Sequence, residues 1–350
     1  MTKYLYTVLS LALLLLGADV ATAGNPDRQG EAGASQLLMN PWARTAGLHA
    51  MNTGSISGVE AMRLNPAGIG RINKTEFNFS HSRYFEGTGI SINAAGFAAR
   101  LKNNAAIAVS VMAVDMGDIP FTTDAQPAGT GATFSPAINN IGISYSYIFD
   151  NKISVGATAR VVSEGTSDVT ATAIAFDAGV QYVTGPQDNF KFGISLRNVG
   201  SRMTFRGQGL AVPANNPSGS DEYTLTYFQR SQGFELPSML NIGTGYDVVI
   251  NDKNTLSIMV NFTANSFAQD QVGGGLEYSF KQVLSLRAAY KYEIGSDNPD
   301  FDSIYTGLAA GISFDVPVKR GSDTRIGIDY SYRDTRLWNG THSLGVRLSL

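Results

Sequence analysis

The chain has 350 residues, a formal net charge of −3, 38 glycines, 16% charged residues and no cysteine. The mildly acidic balance leaves no electrostatic footprint for nucleic acid, and a chain without Cys has neither disulfides nor thiolate metal sites. Mean hydropathy is −0.05, so the chain mixes apolar and polar residues finely rather than in long blocks.

At the start, Lys3 is followed by an apolar run from Val8 to Leu16 broken only by Ser10, then by Ala21-Thr22-Ala23. That is the layout of a secretory signal peptide, with the mature chain expected from Gly24. The run is too short to cross ~30 Å of hydrocarbon as a helix. What remains is long for one soluble domain, which leaves two domains or one large β-barrel.

Residues 24–74 form the next unit, and their densest stretch is RLNPAGIGRI at 63–72. Gly58 to Leu64 suits one or two helical turns. Asn65 is pushed out of the helical region by Pro66, while Ala67, Gly68 and Gly70 allow close backbone approach. Together with the small residues from Ala46 to Ser57, this makes a compact piece with little core of its own. Inside a wide barrel it acts as a plug entering from the periplasmic side; the other reading is a plain linker into the first strand.

From Thr75 onward the sequence alternates with period two, the mark of strands with one face in each environment. Fourteen segments are expected, at 75–85, 88–101, 104–116, 139–149, 153–164, 170–184, 189–200, 238–250, 254–266, 271–280, 284–294, 305–317, 324–334 and 341–350. The connections sort by length. Those on one side are tight, such as Asp150-Asn151-Lys152 and Lys281-Gln282-Val283, whereas the other side carries Gly117 to Ile138 and Ser201 to Pro237. Tight periplasmic turns, long extracellular loops and an even strand number specify a transmembrane antiparallel β-barrel over 75–350, in outer-membrane lipid, with the N-terminus in the periplasm.

Side-chain chemistry agrees. One face carries Ile326, Ile328, Tyr330 and Tyr332 in one strand and Leu284, Leu286, Ala288, Tyr290 and Tyr292 in another. Aromatics gather near strand ends, Phe149, Tyr182, Phe190, Tyr278 and Phe280 on one side, as interfacial girdles require. The opposite face collects Arg160, Arg197, Glu277, Arg287, Asp329 and Arg347, along with Asp177 and Asp315. A three-residue turn at 281–283 pairs Phe280 with Leu284 and therefore sets Arg287 opposite Glu277. These charges either pair across the lumen or simply keep it wet. The inward positions otherwise read as Gly, Ser and Asn, which disfavours a greasy tunnel; Met112, Met116 and Phe121 suggest a local apolar pocket.

No catalytic signature occurs: His49, His81 and His342 are the only histidines, and none lies in a nucleophile or metal motif. No enzymatic activity, cofactor or metal is expected. The Asn65-Pro66-Ala67-Gly68 element, following Ala43-Arg44-Thr45-Ala46-Gly47-Leu48, resembles the N-terminal hatch of FadL-like outer-membrane barrels, and more closely the PorV/PorQ branch of Bacteroidetes. GDIPFTT at 117–123, IAFDAGVQYVTG at 174–185 and FKFGISLRNVGSRMTF at 190–205 are similar to that branch too. The resemblance implies a component of type IX secretion that holds C-terminal signal domains of cargo beside a translocon. The FadL-like alternative implies uptake of a hydrophobic small molecule. For the secretion reading the contact surface falls on the loops 117–138 and 201–237, with Met203, Phe205, Tyr223, Tyr227 and Phe228 of the second as anchors; equally, these residues fold the loop on itself.

Overall fold

The computed structural model describes residues 25–102, 104–166, 168–215, 223–295, 303–319 and 323–350. The expected signal peptide at 1–23 lies outside the described residues.

Period-two alternation becomes one closed antiparallel ring. In chain order its first strands are β1 (Thr75–Arg83), β2 (Ser91–Arg100) and β3 (Ala105–Asp115). A loop hairpin of β4 (Ile119–Pro120) and β5 (Thr133–Phe134) precedes β6 (Ala137–Phe149), β7 (Ile153–Gly165), β8 (Thr170–Thr184) and β9 (Phe190–Gly200). A second loop hairpin, β10 (Ala211–Asn215) with β11 (Thr224–Phe228), leads to β12 (Met239–Asn251), β13 (Asn254–Asn265) and β14 (Gln271–Phe280). The ring ends with β15 (Leu284–Glu293), β16 (Tyr305–Pro317), β17 (Arg325–Thr335) and β18 (Thr341–Ser349), and β18 pairs back onto β1. Closure leaves the fourteen wall strands without an exposed sheet edge. The shortest, β1 and β18, have 9 residues, and a tilted strand of that length crosses a bilayer.

The wall is inverted relative to a soluble protein. Along β8 the residues alternate exposed and buried almost without a break, with Ile174, Phe176, Val180 and Tyr182 outward and Ala173, Asp177 and Gln181 inward. The same outward apolar face continues through Ile326, Ile328 and Tyr330 on β17 and Leu344 and Val346 on β18. On that face Tyr330 Oη and His342 Nδ1 lie 2.7 Å apart, a polar contact at aromatic height.

The tight connections gather at one rim, the short-turn rim, and the long ones at the other, the long-loop rim. Asp150-Asn151 and Lys281-Gln282 all take left-handed φ values between 46° and 59°, and these turns place Phe149 opposite Ile153 and Phe280 opposite Leu284. The second turn carries the expected register: Glu277 pairs with Arg287, and their side chains form an ion pair.

Candidate functional site

The lumen is occupied by the chain's own N-terminal segment. The sequence reading has it entering as a plug from the short-turn side; instead it threads the barrel from end to end. Its first described residues lie at the long-loop rim, where Arg28 bonds Glu235 at 3.2 Å and stacks over Phe267, and Ala32 bridges to Glu235. It leaves at the short-turn rim, where Lys74 N donates to Leu350 O. The reason is local burial. Ala34 and Leu37 find an apolar nest at the long-loop rim made by Val162, Ala171, Ala173, Ala175, Met203 and Leu236. An N-terminus placed with Thr75 at the short-turn rim therefore does not describe residues 25–38.

Asn65-Pro66-Ala67-Gly68 is the point of closest fit. Asn65 is extended (φ −149°, ψ 102°), as its place before proline dictates, and its Oδ1 accepts from Ala67 N at 3.2 Å. Its Nδ2 donates to Thr53 O and to Val180 O of the wall, each at 3.1 Å. The turn, with Thr53-Gly54 beside it, rests on a ledge of inward glycines from neighbouring strands, Gly156, Gly179, Gly193 and, under Thr53-Gly54, Gly243. A Cβ on Gly156 would stand 2.4 Å from Pro66 C, one on Gly179 2.1 Å from Asn65 Oδ1, and one on Gly193 2.6 Å from Thr53 O. Glycine is required here for approach rather than for φ.

Wall side chains then bond the plug's backbone, which otherwise lacks a sheet or long helix to satisfy it. Gln181 Nε2 donates to Ile56 O at 2.9 Å, Ser195 Oγ to Leu64 O at 2.7 Å and Arg160 Nη2 to Met62 O at 2.8 Å. Glu76 Oε1 accepts from Val59 N at 2.8 Å. Within the plug, buried Glu60 accepts from Thr45 N and Oγ1 and from Asn78 Nδ2 of the wall, with Arg44 Nε 3.6 Å away. Burial alone would pull the Arg44 guanidinium down, but Glu60 and Glu76 outweigh it and hold its pKa above the ordinary value. Sequence reasoning had no signal for Glu60, whereas Glu76 and Gln181 sit at inward strand positions where a partner is required.

The lining differs around the ring. Against β2 and β3, Trp42, Val59, Met62 and Ile69 pack on Ile92, Ala94, Ala98, Ala108 and Met112 in a dry cluster. Met112 therefore belongs to the plug interface, while Met116 and Phe121 are exposed. Against β14 to β18 the lining is charged: Arg287 bonds Glu277 and Ser313, Ser313 bonds Asp329, and Asp315 holds Arg325 at 2.7 Å and Arg347 at 2.8 Å. The other two sequence-predicted lumen charges stand apart from this network. Arg160 pairs with Asp177 at 2.9 Å and Arg197 Nη1 meets Met239 Sδ at 3.4 Å.

His49 adds a further feature, with its ring edge-on to Tyr305 at 5.5 Å. Burial, then the charges of Lys291 and Arg333, keep its pKa well below the usual histidine value.

The loop 201–237 is structured. Met203 bridges to Phe234 and Thr170 to Arg206, extending the wall beyond the ring. Met203 is 0% exposed, packed on Leu37 and Leu236, so it is a core residue and not a surface anchor; its apolar side chain serves packing onto the N-terminal thread. Phe205 is half-buried against Phe234. Tyr223, Tyr227 and Phe228 are exposed, Phe228 at 61%. Phe205, Leu210 and Phe228 line a cleft of about 730 Å³ whose polar edge carries Arg206 and Arg230.

No family model matches the chain, and no curated protein does. Solved structures share its fold. The CymD monoaromatic hydrocarbon channel superposes with a TM-score of 0.55 at 12% identity, over 89% of this chain and 96% of that one. The toluene transporter TbuX of Ralstonia pickettii gives 0.53 at 14% identity, over 89% and 97%. A FadL homologue of Pseudomonas aeruginosa gives 0.51 at 12% identity, over 88% and 97%. At such identities the likeness is one of fold, matched along nearly the whole length of those channels.

Proposed function

We propose that this protein is a non-enzymatic outer-membrane channel for hydrophobic small molecules, closed by its N-terminal segment and opened when that segment shifts. The short-turn rim faces the periplasm and the long-loop rim the exterior, where the cleft at Phe205, Leu210 and Phe228 offers a first apolar contact. The carrying observation is the plug docked in a barrel whose fold follows hydrocarbon channels over nearly nine-tenths of its own length. The polar character of much of the plug interface fits a removable element, because each hydrogen bond exchanged for water costs only about 1 kcal/mol net.

A tether tests it. A Cβ on Gly345 stands 3.2 Å from Ala43 Cβ, close to the spacing of a disulfide, and the chain has no Cys to compete. In proteoliposomes, the Ala43→Cys/Gly345→Cys variant is expected to take up a labelled monoaromatic hydrocarbon or long-chain fatty acid when reduced and to stop when oxidised. Equal uptake in both states would rule out a moving plug, and no uptake in the unmodified protein would rule out the channel.

The exposed strand β11 favours a second reading. Leu225, Tyr227 and Phe228 are exposed along it, apolar side chains of the kind that anchor protein partners. On that reading the barrel is a PorV/PorQ-type component that holds secreted cargo or a type IX translocon at the long-loop rim. Capture from outer membranes, followed by identification of proteins with C-terminal signal domains, distinguishes it from uptake; their absence removes it.

A further inference from the structure

Opposite the charged network, the plug and wall enclose a small chamber between β3, β6 and β7. It is lined by Trp42, Met62 and Arg63 of the plug and by Ser110, Asn140 and Arg160 of the wall, with a volume of about 10 Å³. Its polar lining is rich in donors and contains no carboxylate. Two buried N–H groups there have no protein acceptor: Arg160 Nη1, on a side chain 2% exposed, and Asn140 Nδ2, on a residue 4% exposed. Arg160 Nη2 is already engaged by Met62 O and Asp177, so Nη1 remains to be satisfied.

Charge makes the same demand. Arg63, Arg160 and Arg197 interact electrostatically with one another, and among the described residues Asp177 is the carboxylate that acts on both Arg63 and Arg197. Arg63 is held by Met39 O and Gln36 O, which are neutral acceptors. Guanidinium groups do not shed their charge in proteins, and buried charges need counter-charges. Burial, and then Arg160 and Arg197, accordingly push the Arg63 pKa well down.

We infer that this chamber binds a single monatomic anion, chloride under ordinary conditions, between Arg160 Nη1 and Asn140 Nδ2 with Arg63 alongside. The size bounds the class: the free space is about that of one water, which shuts out carboxylates and phosphates and leaves a monatomic anion, somewhat wider than water, for which the lining side chains part slightly. The anion clips the plug, through Arg63, to the wall, through Asn140 and Arg160.

Crystals of the detergent-solubilised protein grown in bromide should show an anomalous peak within hydrogen-bond distance of Arg160 Nη1 and Asn140 Nδ2. At constant ionic strength, replacing gluconate by chloride should raise the thermal unfolding midpoint, because a ligand bound only by the folded state stabilises it. Asn140→Asp places a fixed carboxylate at the chamber, so its midpoint should no longer respond to chloride. A chamber without anomalous signal in bromide overturns the inference, and so does a chloride response in Asn140→Asp equal to that of the unmodified protein.

Discussion

The two flanks of the plug are built on opposite principles. Against β2 and β3 it meets alanines, Ile92 and Met112 through Trp42, Val59 and Met62, a dry contact resembling an ordinary protein core. Against β14 to β18 it faces Glu277, Arg287, Asp329, Asp315 and Arg347, which bond mainly to one another. The first flank binds the plug by burial. The second stiffens the wall and gives the plug few hydrogen bonds, meeting it instead through close packing of Ala43 on Gly345, Gly47 on Gly311 and Leu48 on Gly275. A plug that shifts is therefore expected to hinge on the β2–β3 flank and part from the β14–β18 flank.

Trp42→Ala should cause the largest loss, because removing a buried tryptophan costs about 3–5 kcal/mol. Hydrogen exchange in residues 40–70 should report an opening free energy lowered by that order while the wall strands stay protected. If exchange in the plug is unchanged, the dry flank is not what holds it.

Next comes the glycine ledge. Gly179→Val drives a methyl-bearing carbon into Asn65, and such overpacking costs about 1–3 kcal/mol. The barrel should still form, as judged by its heat-modifiable migration in gels. Protease should then cut the N-terminal segment, and single-channel conductance should rise.

On the charged flank, Arg287→Met leaves Glu277 without its guanidinium and Ser313, the hydrogen-bond partner of Asp329, without its donor. Breaking a buried pair costs about 3–5 kcal/mol in a dry core. In a lumen where Glu277 stays partly exposed, about 1–2 kcal/mol is expected. That loss should appear in global unfolding and leave plug exchange nearly unaltered, the reverse of Trp42→Ala. Should Arg287→Met loosen the plug as much as Trp42→Ala does, the two flanks are equivalent.

The smallest effect is pH dependence through His49. Its pKa is depressed in the fold, so below about pH 6.5 the unfolded or undocked chain binds a proton that the docked plug does not. Plug docking is thus at full strength above that pH and weakens as pH falls, by at most about 1.4 kcal/mol per unit. The groups facing His49 are Tyr305, Lys291 and Arg333, and the two cations add to the penalty on protonation. His49→Phe should flatten the pH dependence of plug exchange between pH 5 and 7.

The wall was legible in the sequence because its signal is local. Two environments act on alternate residues, so Ile326, Ile328 and Tyr330 announce their face, and strand ends fall within three residues of expectation. The Glu277–Arg287 pair was readable for the same reason, since a three-residue turn transmits register from Phe280–Leu284. The plug's path was not. Residues 25–42 carry no period, and their course is set by Leu37 meeting Met203 and Leu236, contacts from the far half of the chain. The same distant packing buries Met203, whose apolar side chain in a long loop reads in sequence as an anchor. The inward positions read in sequence as Gly among other residues, but only the shape of the Asn65 turn and of Thr53-Gly54 beside it explains why Gly156, Gly179, Gly193 and Gly243 exclude a side chain.

One consequence follows from the closure of β18 onto β1 around a segment that continues directly into β1. A thread enclosed by an unbroken hoop and fastened at one end cannot slip out sideways; it can retreat only lengthwise, drawn toward the end where it is tied. A bulky cap fixed near Arg28, beyond the mouth on the far side, would act as a stopper knot and arrest that withdrawal without touching a single residue of the passage.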